Sequence, residues 1–225
     1  MLGLAFDWFL HGGTYAEYVA VNAGAIAAKP AAWRFAQAAS IPLVALTAWQ
    51  ALDEVGRLAA GPSVLIQAGA GGVGSVAIPM AKHLGATVYT TARAVNHDYV
   101  RSLGADVAID YTTEDYAAVI REAEPEGLDV VVETLESEAA IRNAVLLAKP
   151  GGAVVYLNNE PPDMPEIAEK DLRSLFLHHR ADGPMLAGLV GLFEEGVVPL
   201  PKIEVLPLAE AVEAHRRLEQ WRTVG

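Results

Sequence analysis

The chain has 225 residues, 52% of them apolar, which is enough for one large domain, or one and a half, around a real core. A formal charge of −12 sets most of the surface against phosphate backbones and anionic bilayers, so neither nucleic acid nor a membrane is an expected partner. The lack of any cysteine removes disulfides, thiolate zinc sites and thiol nucleophiles, and fits a reducing cytoplasm, the expected location.

The apolar start over residues 1–13 has no basic region and no small-residue cleavage site, and Asp7 interrupts it, so it does not read as a signal peptide. Residues 13–21 (GTYAEYVAV) alternate like a half-exposed antiparallel strand belonging to a different domain from the segments after it. Residues 34–58 read as helical with a break near Pro42. The apolar stretches 41–52 and 64–74 fall short of the ~20 residues needed to cross a bilayer, so no transmembrane span is expected.

From Pro62 onward, β-branched runs alternate with helical segments. Strands are predicted at 64–67, 86–90, 106–110, 128–132 and 153–157, with a sixth near 172–177, and helices at 72–84, 97–103, 114–122 and 138–147. Alternation of this kind means a parallel sheet, and strands apolar on both sides mean that both faces are covered. The expected fold class is therefore α/β, a doubly wound parallel Rossmann sheet of six strands with right-handed crossovers. The tail predicts a helix at 185–195, a strand at 203–206 and a helix at 208–220.

Gly69, Gly71 and Gly74 stand at G-x-G-x-x-G spacing between the first of these strands and its helix. Gly69 can make the turn out of the strand, Gly71 lets main chain approach a pyrophosphate, and Gly74 lets the helix pack on the sheet. The amides of Gly72 and Val73 would then face the phosphates from a helix N-terminus, where unpaired donors and the macrodipole favour an anion. The alternative is a glycine-rich strand-to-helix turn with no ligand. About 20 residues on, where NAD binders place an acid on the ribose, the chain reads Thr90, Thr91, Ala92, Arg93. With no carboxylate there and with Arg93 able to pair with a 2′-phosphate, NADPH is the expected cofactor; the alternative for Arg93 is a solvated helix-start residue.

These residues resemble the medium-chain dehydrogenase/reductase superfamily, and within it the zinc-independent NADPH:quinone oxidoreductases, the zeta-crystallin group. The resemblance runs nearly end to end: HGGTYAEYVAV at 11–21, IPLVALTAWQAL at 41–52, VLIQAGAGGVGSVAIPMAKHLGA at 64–86, LGAD at 103–106 with IDY at 109–111, and VLPLAEAVEAHRRLE at 205–219. It implies that Thr47 lies beside the nicotinamide, that Gly72 and Val73 meet the pyrophosphate, and that Arg93 and Tyr111 lie near the adenosine phosphate end. The alternative for Tyr111 is an exposed turn aromatic. The loops 134–137 and 157–159, with Leu135 and Asn158, are expected to border the nicotinamide at the carboxyl edge of the sheet. ETLES at 133–137 departs there from the family's Asp-x-Val-Gly-Gly.

The resemblance further implies residues 1–37 as a remnant of a GroES-like catalytic domain, 38–179 as the cofactor domain, and 180–225 as a segment returning to the catalytic domain. Most of that barrel is missing, so the substrate pocket is expected to be incomplete, and the family's Thr-Arg-Gly-Lys continuation is absent after Thr223. No side chain is assigned a catalytic role. None of the six histidines stands in a ligand-spaced cluster and there is no H-E-x-x-H, so no metal is expected. The expected activity is hydride transfer from NADPH to a quinone or an α,β-unsaturated carbonyl as small-molecule substrate. An enoyl-thioester reductase is a close variant, and a non-catalytic NADPH-binding or accessory protein is the alternative. A homodimer is the expected assembly.

Overall fold

The computed structural model describes residues 1–5, 13–57, 61–220 and 223–225. Parts of two sequence readings, residues 6–12 of the apolar start and position 58 of the helical stretch, lie outside them. Near the N-terminus β1 (Leu2–Gly3) and β2 (Ile26–Ala27) form a short antiparallel ladder. Helices α1 (Phe35–Ala39) and α2 (Pro42–Trp49) come next, and α2 continues as a wider turn over Gln50–Val55. The break falls before Pro42, which begins α2, where its missing N–H leaves no helical bond unmade.

The sheet is built from β3 (Ser63–Ile66), β4 (Thr87–Thr91), β5 (Val107–Ile109), β6 (Leu128–Glu133), β7 (Ala148–Tyr156) and β8 (Arg173–Phe176). Between them run α3 (Gly72–His83), α4 (His97–Ser102), α5 (Tyr116–Ala123), α6 (Glu138–Leu147) and α7 (Pro165–Glu169), and α8 (Gly183–Glu194) and α9 (Ala211–Glu219) end the chain. All neighbouring strands are parallel, in the order β5-β4-β3-β6-β7-β8. The chain starts in the middle, moves outward through β4 and β5, and crosses back to β6. The strand order thus reverses between β3 and β6, the place where open α/β sheets leave a crevice.

Alternation along the strands separates two cores. Val64, Ile66, Val130 and Val132 face a layer that includes Leu46 of α2, Ile78 and Met80 of α3, Val100 of α4 and Leu186 of α8. Leu65, Val131 and Val154 face Ile120 of α5 and Ala144 and Leu147 of α6. Helix ends are satisfied locally: Asp115, Ser137 and Asp182 cap the N-termini of α5, α6 and α8, and Lys170 donates to the carbonyls of Val145, Leu146 and Ala148 at the end of α6.

Three expectations need correction. Residues 13–21 form no strand: Tyr15, Tyr18 and Val19 are exposed, and among the described residues no neighbouring strand supplies a ladder for their main chain. Tyr15 instead meets the His215 ring of α9, hydroxyl to Nε2 at 2.9 Å. Residues 203–206 likewise form no strand, with Ile203 and Val205 exposed and Glu204 paired with Arg217. Lastly, the helical run Phe35–Val55 spans 21 residues at mean hydropathy 1.3 and so is long and apolar enough to cross a bilayer. Burial of Ile41, Ala45, Leu46, Ala48, Ala51 and Leu52 at 0% exposure accounts for that composition as core packing.

Gln50, fully buried, fixes α2 to the exit of β8. Its Oε1 accepts from the Arg180 amide and its Nε2 donates to the Arg180 carbonyl, both at 3.0 Å, while the Arg180 guanidinium grips Glu54 with two bonds. Gln50→Ala removes both bonds to the Arg180 main chain, and it is expected to destabilise the chain by roughly 1–3 kcal/mol in chemical denaturation. A change under about 1 kcal/mol would show that the clasp contributes little.

Candidate functional site

The turn out of β3 is unusually tight. Ala68 takes the left-handed conformation at φ 52°, which costs a residue with a Cβ about 1 kcal/mol or more. Bonds to β4 hold it there: the Thr91 Oγ1 accepts from the Ala68 amide at 3.1 Å and the Thr91 carbonyl from the Gly69 amide at 3.0 Å. The Gly71 amide then closes on the Ala68 carbonyl at 2.9 Å, and α3 begins. Thr91 is buried, so the structure gives its hydroxyl a part in bracing the loop.

The three glycines differ in what demands them. A Cβ on Gly69 would run into the Thr90 hydroxyl, itself bonded to the Ile66 carbonyl at 2.6 Å. One on Gly74 would stand 2.5 Å from the Ala68 carbonyl and 2.6 Å from the Gly69 Cα. One on Gly71 would meet only the Ala68 carbonyl at 3.3 Å. The protein's own packing therefore requires Gly69 and Gly74, while at Gly71 a Cβ would press on one main-chain oxygen alone. Gly72 and Val73 open α3, whose first amides have no intrahelical partner.

Other elements border this loop. Val44 of α2 sets a methyl 3.3 Å from where a Gly72 Cβ would be, and Thr47, one turn on, is buried in the same helix. Residues 223–225 lie across the loop, with the Gly225 amide donating to the Ala70 carbonyl at 2.9 Å. That contact had no signal in the sequence.

Arg93 leaves the carboxyl end of β4 exposed; its carbonyl accepts from the Asn96 amide, and its side chain has no hydrogen-bond or ion-pair partner among the described residues. The strand ends also bring in an acid that the linear reading of 90–93 omits. Asp110, after β5, accepts from the Thr112 amide and hydroxyl, and these bonds, with the Ala94 amide and nearby His97, hold its carboxyl below the usual range. Tyr111 beside it is half exposed. Both lie by β5, the edge strand two places from β3.

On the other side of the switch point, the loops after β6 and β7 are tied together. Asn158 Nδ2 donates to the Thr134 carbonyl and Asn159 Nδ2 to the Leu135 carbonyl, each at 2.7 Å. The structure thus joins the segments of Leu135 and Asn158, joins Gly69 through Gly74 to Thr91, and leaves Tyr111 at the rim. Sequence reasoning missed Glu133. Fully buried at the end of β6, it accepts from the Leu135 amide at 2.6 Å through one oxygen, while Oε2 has no partner. Burial pushes its carboxyl up to about 7, against lowering by the Leu135 amide and the Asn159 side chain. The signal was an acid closing an otherwise apolar strand, LDVVVE.

Similarity to known proteins agrees with this geometry. A protein of the alcohol dehydrogenase superfamily from Novosphingobium aromaticivorans superposes with a TM-score of 0.81 at 30% identity, over 95% of this chain and 68% of that one. The chain belongs to that superfamily, the medium-chain dehydrogenases/reductases. Within it, residues 72–182 match the zinc-binding dehydrogenase family. A 2-methylene-furan-3-one reductase of Solanum lycopersicum is 35% identical over 221 residues, covering 95% of this chain and 51% of the reductase. A polyketide synthase of Streptomyces halstedii is 35% identical over 222 residues, again 95% of this chain but 4% of the synthase. The chain therefore spans about half, or far less, of the curated relatives it matches. The family's zinc does not fit the residues present: the chain has no cysteine, and among the described residues no group of three or more His, Asp or Glu comes together.

The packing of the glycines and of Glu133 sets two expected outcomes for stability. Gly74→Ala forces a Cβ against main chain and is expected to lower stability by roughly 1–3 kcal/mol, a Tm drop on the order of 5 °C, whereas Gly71→Ala is expected to stay within about 1 kcal/mol of the wild type. Equal losses would mean that packing demands both glycines. The folded pKa of Glu133, about 7 against the ordinary 4.5, means that the folded chain keeps a proton the unfolded chain has released. Stability is thus lost as pH rises through that window. Glu133→Gln removes the loss, so its Tm relative to the wild type is expected to rise between about pH 4.5 and about pH 7; a constant difference rules this out.

Proposed function

We propose that the chain carries the NADPH site of a reductase that delivers hydride to a quinone or to the β-carbon of an α,β-unsaturated carbonyl. One observation carries the reading: Gly71 is bare of side chain where the fold itself has little need of it, at the mouth of α3 and beside the switch point of the sheet. A main chain so bare of side chains suits a linked pair of phosphates. In this reading Gly71, Gly72 and Val73 hold the pyrophosphate with amides and the α3 macrodipole. Arg93 pairs with the ribose 2′-phosphate, Tyr111 borders the adenosine end, and Thr47, Leu135 and Asn158 enclose the nicotinamide end.

When bound, the dihydronicotinamide supplies the hydride. The chain's own residues orient it and exclude water, and the proton that completes reduction of an enone enters at the α-carbon from solvent. A reductase of an enone among the relatives supports this substrate class, and the likeness to a polyketide synthase keeps an enoyl thioester as the close variant. Because the chain spans 51% of the tomato reductase, turnover by this chain is part of the proposal, and binding without turnover is the second reading.

NADPH oxidation is to be followed with 1,4-benzoquinone, an alkyl vinyl ketone and a crotonyl thioester, alongside calorimetric titration of NADPH and NADH. Oxidation with one of these acceptors supports the reductase, and uptake of NADPH without oxidation supports a binding protein. No uptake of either cofactor by folded protein defeats both. Arg93→Ala is expected to weaken NADPH binding roughly 10- to 100-fold and leave NADH binding unchanged, the size of a charged pair. An unchanged preference for NADPH removes Arg93 from the site.

A further inference from the structure

The loop after β6 is held in a way that its sequence does not require. Thr134 and Leu135 are consecutive, and four different side chains take both of their amides and both of their carbonyls. Gln67 Oε1, at the end of β3, accepts from the Thr134 amide at 3.3 Å, and Glu133 Oε1 accepts from the Leu135 amide at 2.6 Å. Asn158 and Asn159 bind the two carbonyls. Gln67 and Glu133 are both at 0% exposure, and Glu133 Oε2 and the Thr134 hydroxyl are buried with no partner at all. Simple satisfaction of a turn would be met by water or by local bonds. Burying a carboxyl to hold one amide carries a large desolvation cost, which points to a demand for one loop geometry.

Resting on the proposed reductase function, we propose that Glu133 is a positioning residue which, with Gln67, Asn158 and Asn159, fixes the Thr134–Leu135 main chain as a preformed wall of the nicotinamide end of the site. It acts through the loop and touches neither cofactor nor substrate.

Burial favours the uncharged acid at Glu133, against the Leu135 amide and the Asn159 side chain, which favour its carboxylate. The Tyr116 hydroxyl of α5 accepts from the Gln67 and Asn143 side-chain amides, and the Tyr156 hydroxyl of β7 donates to the Ile141 carbonyl. Both phenols are held protonated, mainly by burial. Beyond burial, the influences on Glu133 are the Leu135 amide and Asn159, with no cation among them. A carboxylate there would leave a bare charged oxygen in the α5/α6 layer, so ionisation works against the wall.

Amide hydrogen exchange on the cofactor-free chain reads the wall directly. Glu133→Ala is expected to speed exchange at Leu135 roughly tenfold, the loss of one hydrogen bond, and to leave Val131 of the same strand unchanged. Glu133→Gln keeps the acceptor and is expected to keep the protection. In NADPH titrations Glu133→Ala is expected to bind roughly tenfold more weakly. Between about pH 6 and about pH 8 the wild-type affinity is expected to fall relative to that of Glu133→Gln, which cannot ionise. Unchanged Leu135 exchange in Glu133→Ala overturns the inference, and so do wild-type and Glu133→Gln affinities that run parallel with pH. If Glu133→Ala does not fold, Asn159→Ala tests the same wall from the neighbouring loop, and unchanged exchange at Leu135 there is equally fatal. A wild type that takes up neither cofactor defeats the proposed reductase function, while Leu135 exchange still decides whether Glu133 holds the loop.

Discussion

The close approach of main chain to main chain at the end of β3 is the constraint on which the remainder of the site depends. The strand has to turn at once into α3, because only an immediate turn leaves the helix N-terminus at the carboxyl edge of the sheet. Ala68 accepts a left-handed backbone to make that turn, and Gly74 lies so close to the main chain of Ala68 and Gly69 that it could not carry a Cβ. Neighbouring strands supply the restraint: Thr91 holds the loop from β4, while Thr90 fills the space beside Gly69. A strained turn of this kind persists only where its surroundings over-determine it.

From that turn the two sides of the crevice are built by different means. Toward β4 and β5 the chain offers main-chain amides, a helix dipole and an unpartnered arginine, all suited to anions. Toward β6 and β7 it offers a loop whose main-chain groups already have partners. In the proposed function the open donors suit a flexible, highly charged pyrophosphate, and the settled loop suits a flat ring. The reversal of strand order between β3 and β6 makes the two meet at one edge.

Much of this was legible in the sequence. All six sheet strands and the four crossover helices before β7 appear where β-branched runs and three- and four-residue spacing place them, because burial on both faces leaves a strong imprint on composition, whereas the short α7 before β8 was not foreseen. β7 begins at Ala148, earlier than its apolar run, since Ala148 pairs with Leu128 before a bulge that carries residues 149–152, with Gly151 at φ 73°, outside the register until Ala153 meets Val130. The segments 13–21 and 203–206 carry the alternation of strands but not the state, for a strand is defined by its neighbour and alternation reports only a face. Of the candidate site, the glycine loop and the exposed position of Arg93 after β4 were readable from local spacing. Gln50, Gln67, Glu133 and Asp110 were not, because a polar residue at a strand or helix end gives no sign of burial until its partners, distant in sequence, are in place.

Glu133 shows why such residues escape a linear reading and why they matter. Among Leu128–Glu133 it is the residue whose burial works against its own chemistry, and nothing nearby neutralises it as a cation would. An apolar residue there would pack into the α5/α6 layer more cheaply but would leave the Leu135 amide without its acceptor. The local rule is broken at a point where a neighbouring loop gains a fixed shape, and that loop stands on the rim of the crevice that the glycine turn opens. Turn and carboxyl are thus two answers to one requirement: an edge of parallel strands is generic, and it becomes a site only when the main chain on either side is prevented from moving.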